Sequence, residues 1–380
     1  MRPADSGSGP GERGVALLIA LVAIVVIGGL ITGTFFAGRV ELGSGRNALW
    51  SAQAAEASEG GLTYAFASWP VSWNEYPVGS DSLQPVGFPI AADPTIRYFQ
   101  SVRRMQGGMY LVTARGEKVD RAGRVVATRL LARLGKLVSP WIDVRAAVTS
   151  RGTTRIGGNA TIDGRNSSPS GWPVCSGTDL AGIRTNEDII VNGSPEVYGN
   201  PPMVEHDPEV VDSVFDMPFD VIQPLATIKL AAGTYNSMAP SVAGTPPNCN
   251  QADLMNWGEP DRGETSLAPC YGYFPIIHFA GDAHLTGGRG QGILLVDGDL
   301  QMQGGFEFTG IVLVRGKVIT TANSSKVTGA ILAGNVDLGD VTSFGGTPVV
   351  AYSKCAVDLA VKAAARGVPL SQRGWAQVMR

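Results

Sequence analysis

The chain has 380 residues, a formal net charge of −3 and only 17% charged residues. Its length allows two or three domains or one elongated domain. Its charge argues against a nucleic-acid-binding protein, which needs a basic face to neutralise phosphates. The 50 glycines exceed the roughly 27 that average usage gives for this length. Because the excess lies in the folded part, it indicates many tight turns between short strands.

The first predicted element is a long apolar helix. The run from Val15 to Ala37 contains no charged residue, and a helix of that length covers roughly 34 Å, which is enough to cross a bilayer core. A secretory signal has a shorter apolar core, of about 7–15 residues. After a short polar break, apolar residues return at helical spacing as far as Trp69. The sequence therefore predicts a helix over 15–69, with a transmembrane half at 15–37 and an amphipathic half after it.

The region 70–140 is predicted to contain a β-hairpin. Two strand-like runs, MYLVTARG and RVVATRLLARL, flank a polar turn at Asp120–Gly123. Strands at this point in the chain would shield the second half of the N-terminal helix.

The later part of the chain repeats at a step of 17 or 18 residues. Each copy has an apolar strand, a glycine, an alternating strand and a polar or glycine turn, and the aligned glycines are Gly281, Gly298, Gly316 and Gly334. This pattern predicts a solenoid, in which stacked copies bury each other's inward faces. Two weaker copies precede these. We predict a mainly β protein with a β-helix-like solenoid head over 141–350, an insertion at about 201–273 that starts with a helix, and a C-terminal capping helix within 351–380.

The four cysteines, Cys175, Cys249, Cys270 and Cys355, predict two disulfide bonds in an oxidising compartment. Their spacings lack the close ligand pairs of a zinc site. Four cysteines allow three pairings. We favour Cys249 with Cys270, because the polar, turn-rich loop between them gains from closure, and this leaves Cys175 with Cys355.

One candidate metal site consists of His278, His284 and Asp282. Six residues of extended chain span about 20 Å, and Gly281 bends the chain between the two histidines. We therefore expect polar side chains on a strand face and no metal. His206 stands alone in the sequence and is expected to be exposed.

A second candidate is a column of aspartates. Asp297 and Asp299 flank Gly298, which is the aspartate–glycine pattern of calcium sites in β-rolls. The equivalent positions of neighbouring copies include Lys317 and Asn335, and a lysine in the column argues against a ladder of cations. We predict no cofactor.

No catalytic motif stands out in the sequence. The run GGRGQG at 287–292 does not precede a helix, so its glycines are expected in turns and not in a phosphate loop. A carbohydrate hydrolase built on a solenoid needs two carboxylates in one groove. Glu307 and Asp299 are the candidates, but no spacing supports the pair. We expect that the protein is not an enzyme.

The segment RGVALLIALVAIVVIGGL resembles the start of a type IV prepilin, and in particular the PilX-type N-terminal segment of pilus assembly proteins. The resemblance implies a leader at 1–14 that ends in Arg13 and Gly14. A prepilin peptidase would cut there and methylate Val15 as the new N-terminus. Major pilins carry glutamate at the fifth mature position, where this chain has Ile19. The absence of this glutamate is typical of minor pilus components, such as those at a pilus tip.

The glycine-rich block Tyr273–Gly316 is also similar to the heads of PilX-type proteins. The resemblance implies a minor pilin-like protein of a bacterial type IV pilus, which initiates assembly or contacts a surface. It implies a single-pass inner-membrane protein with a cytoplasmic N-terminus and a periplasmic head. The implied partners are other pilins or pseudopilins through the N-terminal helix, the prepilin peptidase and inner-membrane lipid. A pilus and a type II secretion pseudopilus remain alternatives.

Two other interpretations stay open. The chain could be a membrane-anchored solenoid that only binds, for example, a polysaccharide, without entering a pilus. It could also be an anchored carbohydrate-active enzyme, which requires two carboxylates about 5–10 Å apart in a groove.

Overall fold

The computed structural model describes residues 12–83, 88–90, 93–140, 142–210, 219, 222–263, 265–321, 325–335, 340–371 and 375–377. Most of the predicted leader and most of the helix predicted to start the insertion lie outside these residues. The chain divides into two compact units. The helix unit comprises Met1–Trp69, Pro77–Lys136 and Val368–Arg380, and the head unit comprises Pro70–Tyr76 and Leu137–Gly367.

The described part is mainly β, with one long N-terminal apolar helix. Its helices are α1 (Glu12–Ala67) and α2 (Lys354–Ala364), with 3₁₀ turns at Val71–Glu75, Gln106–Gly108, Gln223–Leu225 and Thr265–Cys270. Its strands are β1 (Asp81–Leu83), β2 (Phe88–Ile90), β3 (Asp93–Arg104), β4 (Met109–Val119), β5 (Val125–Val138), β6 (Ala146–Ser150), β7 (Thr154–Ile156), β8 (Thr161–Asp163), β9 (Ala181–Thr185), β10 (Ile189–Val191), β11 (Glu196–Tyr198), β12 (Met203–Val204), β13 (Ile228–Asn236), β14 (Val242–Ala243), β15 (Asn248–Cys249), β16 (Ile276–Thr286), β17 (Arg289–Val296), β18 (Leu300–Gln303), β19 (Glu307–Val314), β20 (Val318–Thr320), β21 (Lys326–Ala333), β22 (Thr342–Phe344), β23 (Val349–Ala351), β24 (Arg366–Pro369) and β25 (Trp375–Gln377).

Helix α1 is continuous over 56 residues because its sequence has no proline and many good helix formers. The apolar side chains of its first half are exposed. In its second half, Ala54, Ala57 and Ala65 are fully buried where the helix meets β3 and β4. One helix therefore has two halves with different surroundings, and it ends at Ala67, close to the predicted end.

Close backbone approach fixes the second half of α1 to the sheet. A Cβ atom at Gly116 of β4 would lie 2.0 Å from the carbonyl oxygen of Ala54, so only glycine allows this contact. The Ser58 hydroxyl donates to the Ala114 carbonyl at 2.5 Å and accepts from the Leu131 amide at 3.2 Å. The helix is thus held on β4 and β5 by hydrogen bonds as well as by apolar packing.

The sheet of the helix unit has the strand order β1-β3-β4-β5-β24, with β2 on β3 and β25 on β5. Strands β4 and β5 pair antiparallel where the sequence predicts the hairpin. The Asp120 carboxylate organises its turn by accepting hydrogen bonds from the Ala122 and Arg124 amides, each at 2.9 Å. Strand β3 pairs antiparallel with β4, and no sequence prediction covers it.

The head unit contains a sixteen-stranded sheet whose described strand pairs are all parallel. We divide it into three ladders. The A ladder runs β12-β9-β6-β21-β19-β17-β16-β13, the B ladder runs β10-β7-β22-β20-β18-β16-β13, and the C ladder runs β11-β8-β23-β21-β19-β17. Strands that belong to two ladders bend between them.

The A ladder brings equivalent residues of successive copies together. Ile276, Ile293, Ile311 and Ala330 lie in register, and all are buried in the main core cluster. The repeat read from the sequence therefore corresponds to stacked parallel strands with a shared apolar interior.

The order of strands in the ladders differs from the order of the copies in the sequence. Strand β6 pairs with β21 on one side and with β9 on the other. The two weaker copies thus stack beyond the last strong copy and not before the first. Strand β13, inside the predicted insertion, continues the A and B ladders on β16. The repeat pattern misses it because the long segment that carries Cys249 and Cys270 separates the two strands.

A column of glycines marks the bend between the C and A ladders. Gly292, Gly310 and Gly329 lie in register with φ values of +111°, +137° and +143°. A Cβ atom at Gly310 would lie 2.0 Å from the carbonyl oxygen of Gly292. The bend therefore requires residues without a side chain at this column.

Helix α2 lies against β17, β19 and β21 and buries an alanine-rich face. The Ser353 hydroxyl caps its N-terminus by accepting from the Ala356 amide at 3.4 Å. At the other end, the Asn74 side chain donates to the Lys362 and Ala365 carbonyls at 3.0 and 3.2 Å. The helix thus packs along three successive strands of the sheet.

We predict that Gly310→Ala destabilises the head by at least about 2 kcal/mol, because it combines an unfavourable φ with a backbone collision. Gly272→Ala is the control, since a Cβ atom there meets nothing within 4 Å. Urea unfolding of the full chain in detergent micelles measures both. Equal midpoints for the two variants would contradict the assigned bend.

A second prediction concerns acid stability of the helix unit. Hydrogen bonds from the Lys118 ammonium and from Thr95 lower the pKa of Asp93 from 3.8 to about 2. The folded-state pKa lies below the unfolded one, so the carboxylate stabilises the fold above about pH 4, and this contribution is lost as the pH falls to about 2. The difference in Tm between the parent chain and Asp93→Asn should therefore shrink toward zero over that range. A difference that does not change with pH would refute the assignment.

Candidate functional site

The first half of α1 exposes a long run of apolar side chains. Leu17, Ile24 and Ile31 are 71%, 70% and 63% exposed. Among the described helices, α1 alone is long and apolar enough to cross a membrane. It fits a single-pass membrane anchor, and the disulfide bonds indicate a head outside the cytoplasm.

The predicted processing residues lie at the start of this helix. Arg13 and Gly14 belong to α1, which begins at Glu12. Val15 is 59% exposed, and Ile19, at the position of the pilin glutamate, is 62% exposed. Because Ile19 is aliphatic, it offers no carboxylate that could pair with an N-terminal amine.

The two disulfides join the pairs that the sequence analysis favours, Cys249–Cys270 and Cys175–Cys355. Cys355 is the second residue of α2, and its amide donates to the Cys175 sulfur at 2.9 Å. This bond attaches the loop before β9 to the first turn of α2. The other bond closes the loop between β15 and β16.

The structure separates the histidine candidates. The side chain of His278 is 8% exposed, and its Nε2 atom lies 2.9 Å from the Asp297 carboxylate. It lines a cavity of about 460 Å³ together with Gln223 and Lys229. His284 and Asp282 are exposed. No group of three or more histidine, cysteine or acidic side chains able to hold a metal occurs in the described part of the chain.

His206 is exposed, and its Nε2 atom lies 3.3 Å from the Asp188 carboxylate. In the GGRGQG run, Gly287 and Gly288 lie between β16 and β17 as expected for turn residues, whereas Gly290 and Gly292 belong to β17 itself. The run therefore does not precede a helix.

The aspartate column is a chain of hydrogen bonds. An Asp282 oxygen accepts from the Asp299 amide at 2.9 Å, and an Asp299 oxygen accepts from the Lys317 amide at 3.1 Å. The Lys317 ammonium lies 2.9 Å from Asp340 and 3.2 Å from Asp299. Hydrogen bonds to Asp340 and then Asp299 raise the pKa of Lys317 above its usual value. A lysine thus supplies the positive charge in this column, and Asn335 bonds to Ser150 and Thr342 at its end.

The carboxylates of Asp299 and Glu307 belong to different parts of the sheet. Asp299 directly precedes β18 in the B ladder, whereas Glu307 begins β19 in the C ladder. Glu307 lines a separate cavity of about 220 Å³ on the C ladder, whose floor also includes Arg289, Lys326 and Thr328. No sequence prediction covers this cavity. Aligning the repeats one strand earlier would have placed Arg289, Glu307 and Lys326 in one column.

Comparison with known proteins adds no relative. No protein-family model matches the chain, and neither a curated protein nor a solved structure matches it.

Removing the two disulfides should have unequal effects. The bonded cysteines are 180 residues apart in Cys175–Cys355 and 21 apart in Cys249–Cys270. By loop-closure entropy, replacing both cysteines of a pair with serine should cost about 5 kcal/mol for the longer loop and about 3 kcal/mol for the shorter one. Urea unfolding of the two double variants measures the order. A larger loss for Cys249→Ser with Cys270→Ser would contradict it.

Proposed function

We propose that this chain is a minor pilin-like structural component in bacterial type IV pilus assembly. It is held in the inner membrane, processed by a prepilin peptidase, and carries a head for pilus initiation or surface contact. The observation that carries the proposal is the division of α1. Its second half is docked on an antiparallel sheet, while its first half displays an unbroken apolar surface.

The exposed half of α1 needs a partner. Soluble monomeric proteins rarely expose a contiguous apolar patch larger than a few hundred Å², and a helical surface over 15–37 exceeds this. Lipid covers it while the protein is anchored, and the helices of other pilins or pseudopilins cover it after assembly. Gly28, Gly29 and Gly33 have nothing within 4 Å of their Cβ positions, which leaves room for close approach by a neighbouring helix.

Processing would occur on the cytoplasmic side, after Arg13 and Gly14. The mature chain would begin at Val15, with Ile19 in place of the glutamate that pairs with a neighbour's amine. A subunit without that glutamate suits the start or tip of a filament better than its repeating shaft. The head would then lie in the periplasm, where its two disulfides form.

We further propose that the three ladders of the head are the faces of a β-solenoid, which α2 covers along three strands. Support comes from the parallel pairing, from the nearly regular step between residues in register and from the buried aliphatic columns. Such a body is stiff because every inner strand has hydrogen-bonded neighbours on both sides. Its role in this proposal is contact and not catalysis.

The test is the N-terminus of the mature protein. We expect purified membranes to yield a chain that begins at methylated Val15 and expect the leader to remain when the prepilin peptidase is absent. Gly14→Leu should also keep the leader. The control is Gly28→Ala, a glycine change within the same helix that leaves the cleavage position intact.

Intact mass and N-terminal sequencing distinguish the outcomes. An uncut chain, or one cut elsewhere, in peptidase-positive cells would reject the pilin-like proposal. The protein would then be a membrane-anchored binding protein that does not enter a pilus.

A further inference from the structure

The floor of the cavity on the C ladder consists of polar side chains that lie in register. Arg289, Glu307 and Lys326 lie in register on β17, β19 and β21. Thr309 and Thr328 lie in register two residues further along, and each is 6% exposed. Parallel pairing therefore presents a row of alternating charge beside a row of hydroxyl groups.

The walls of the cavity are two loops that are tied to each other and to the floor. One loop contributes Ser170, and the other contributes Asp261. The Trp172 indole nitrogen donates to the Pro260 carbonyl at 2.8 Å and so joins the two loops. The fully buried Glu259 carboxylate accepts from Arg289 at 2.6 Å and from the Asp261 amide at 2.8 Å, which fixes the second loop to the floor.

Each of the two disulfides lies in a chain segment that carries one of these loops. Cys175 follows the first loop and bonds to α2, and Cys270 closes the segment that contains the second loop. The Arg262 guanidinium lies over the rings of Trp172 and Tyr271, at 4.6 and 4.8 Å from their centroids. The cavity is therefore preorganised, which lowers the entropic cost of binding.

The size of the cavity limits its ligand to one small unit. Its volume of about 220 Å³ corresponds to roughly seven waters at about 30 Å³ each. It lies below the 300–1,000 Å³ that is typical of sites for drug-sized molecules. A single sugar ring fits this volume, whereas a longer oligosaccharide has to continue outside it.

The mixed charges of the lining favour a ligand that both donates and accepts hydrogen bonds. Arg289, whose guanidinium is paired with the buried Glu259, and Lys326 lie in the same lining as Asp261 and Glu307. An anion would meet two carboxylates and a cation would meet two basic groups. An apolar ligand would desolvate all four. Sugar hydroxyls both donate and accept, so they can satisfy carboxylate acceptors, basic donors and threonine hydroxyls together.

We propose that this cavity binds one neutral sugar residue at the end of a glycan. The inference rests on the surface-contact part of the proposed function for its biological setting, but the binding itself requires neither leader cleavage nor pilus assembly. All residues of the proposed sugar site belong to the head unit.

The experiment uses the full chain in lipid nanodiscs. An array of glycans with neutral or acidic terminal sugars is screened first, and the best neutral oligosaccharide is then titrated by calorimetry. We expect one binding site per chain. The double variant Thr309→Val with Thr328→Val removes two hydroxyls at nearly constant shape and should weaken binding at least tenfold. Thr234→Val, the same change on β13 of the B ladder, should alter it less than twofold.

Three results would overturn the proposal: no binding of any neutral glycan, binding of acidic glycans alone, or unchanged affinity in the double threonine variant. Urea unfolding of each variant checks that lost binding does not reflect a lost fold. Because leader cleavage is measured separately, failure of the glycan proposal and failure of the pilin-like proposal give different results.

Discussion

The head depends on the close, in-register stacking of backbone at the bend between the C and A ladders. At Gly310 the preceding strand's carbonyl oxygen occupies the space of a side chain, and the same contact recurs at Gly329. This column fixes where each copy of the chain turns. The position of this bend decides which residues point into the apolar interior, because a shift of one residue would exchange the two faces of a strand.

The same register also organises the surface. In a parallel ladder, equivalent side chains of successive copies become neighbours, and like charges placed side by side repel. The C-ladder column avoids this, and in the aspartate column Lys317 offsets the neighbouring Asp282 and Asp299. Asp299 lies beside Lys317 in one column, and Glu307 lies between Arg289 and Lys326 in the other. Lys317 therefore supplies a compensating positive charge within the aspartate column.

Local patterns in the sequence predict the parts of the fold that local forces decide. The apolar run that starts at Val15, the polar turn at Asp120 and the repeat glycines each carry their own signal. No local sequence signal predicts that β6 pairs with β21 or that β13 pairs with β16. Each of these pairings joins segments that are far apart in the chain. The C-ladder cavity is missed for the same reason. Its floor comes from repeats, but its walls come from two unrelated loops that meet only in the folded head.

The two units place different demands on their surroundings. The head buries its aliphatic columns within its own ladders, and disulfides hold its loops, so its core needs no other molecule. Helix α1 buries only its second half, through contacts such as that between Ala54 and Gly116, and leaves an apolar surface that water does not solvate well. The first half of the helix must therefore be covered by lipid or by other helices. Since the two demands fall on separate sets of residues, the surface of the head can change in sequence without altering the helix that fits a membrane anchor.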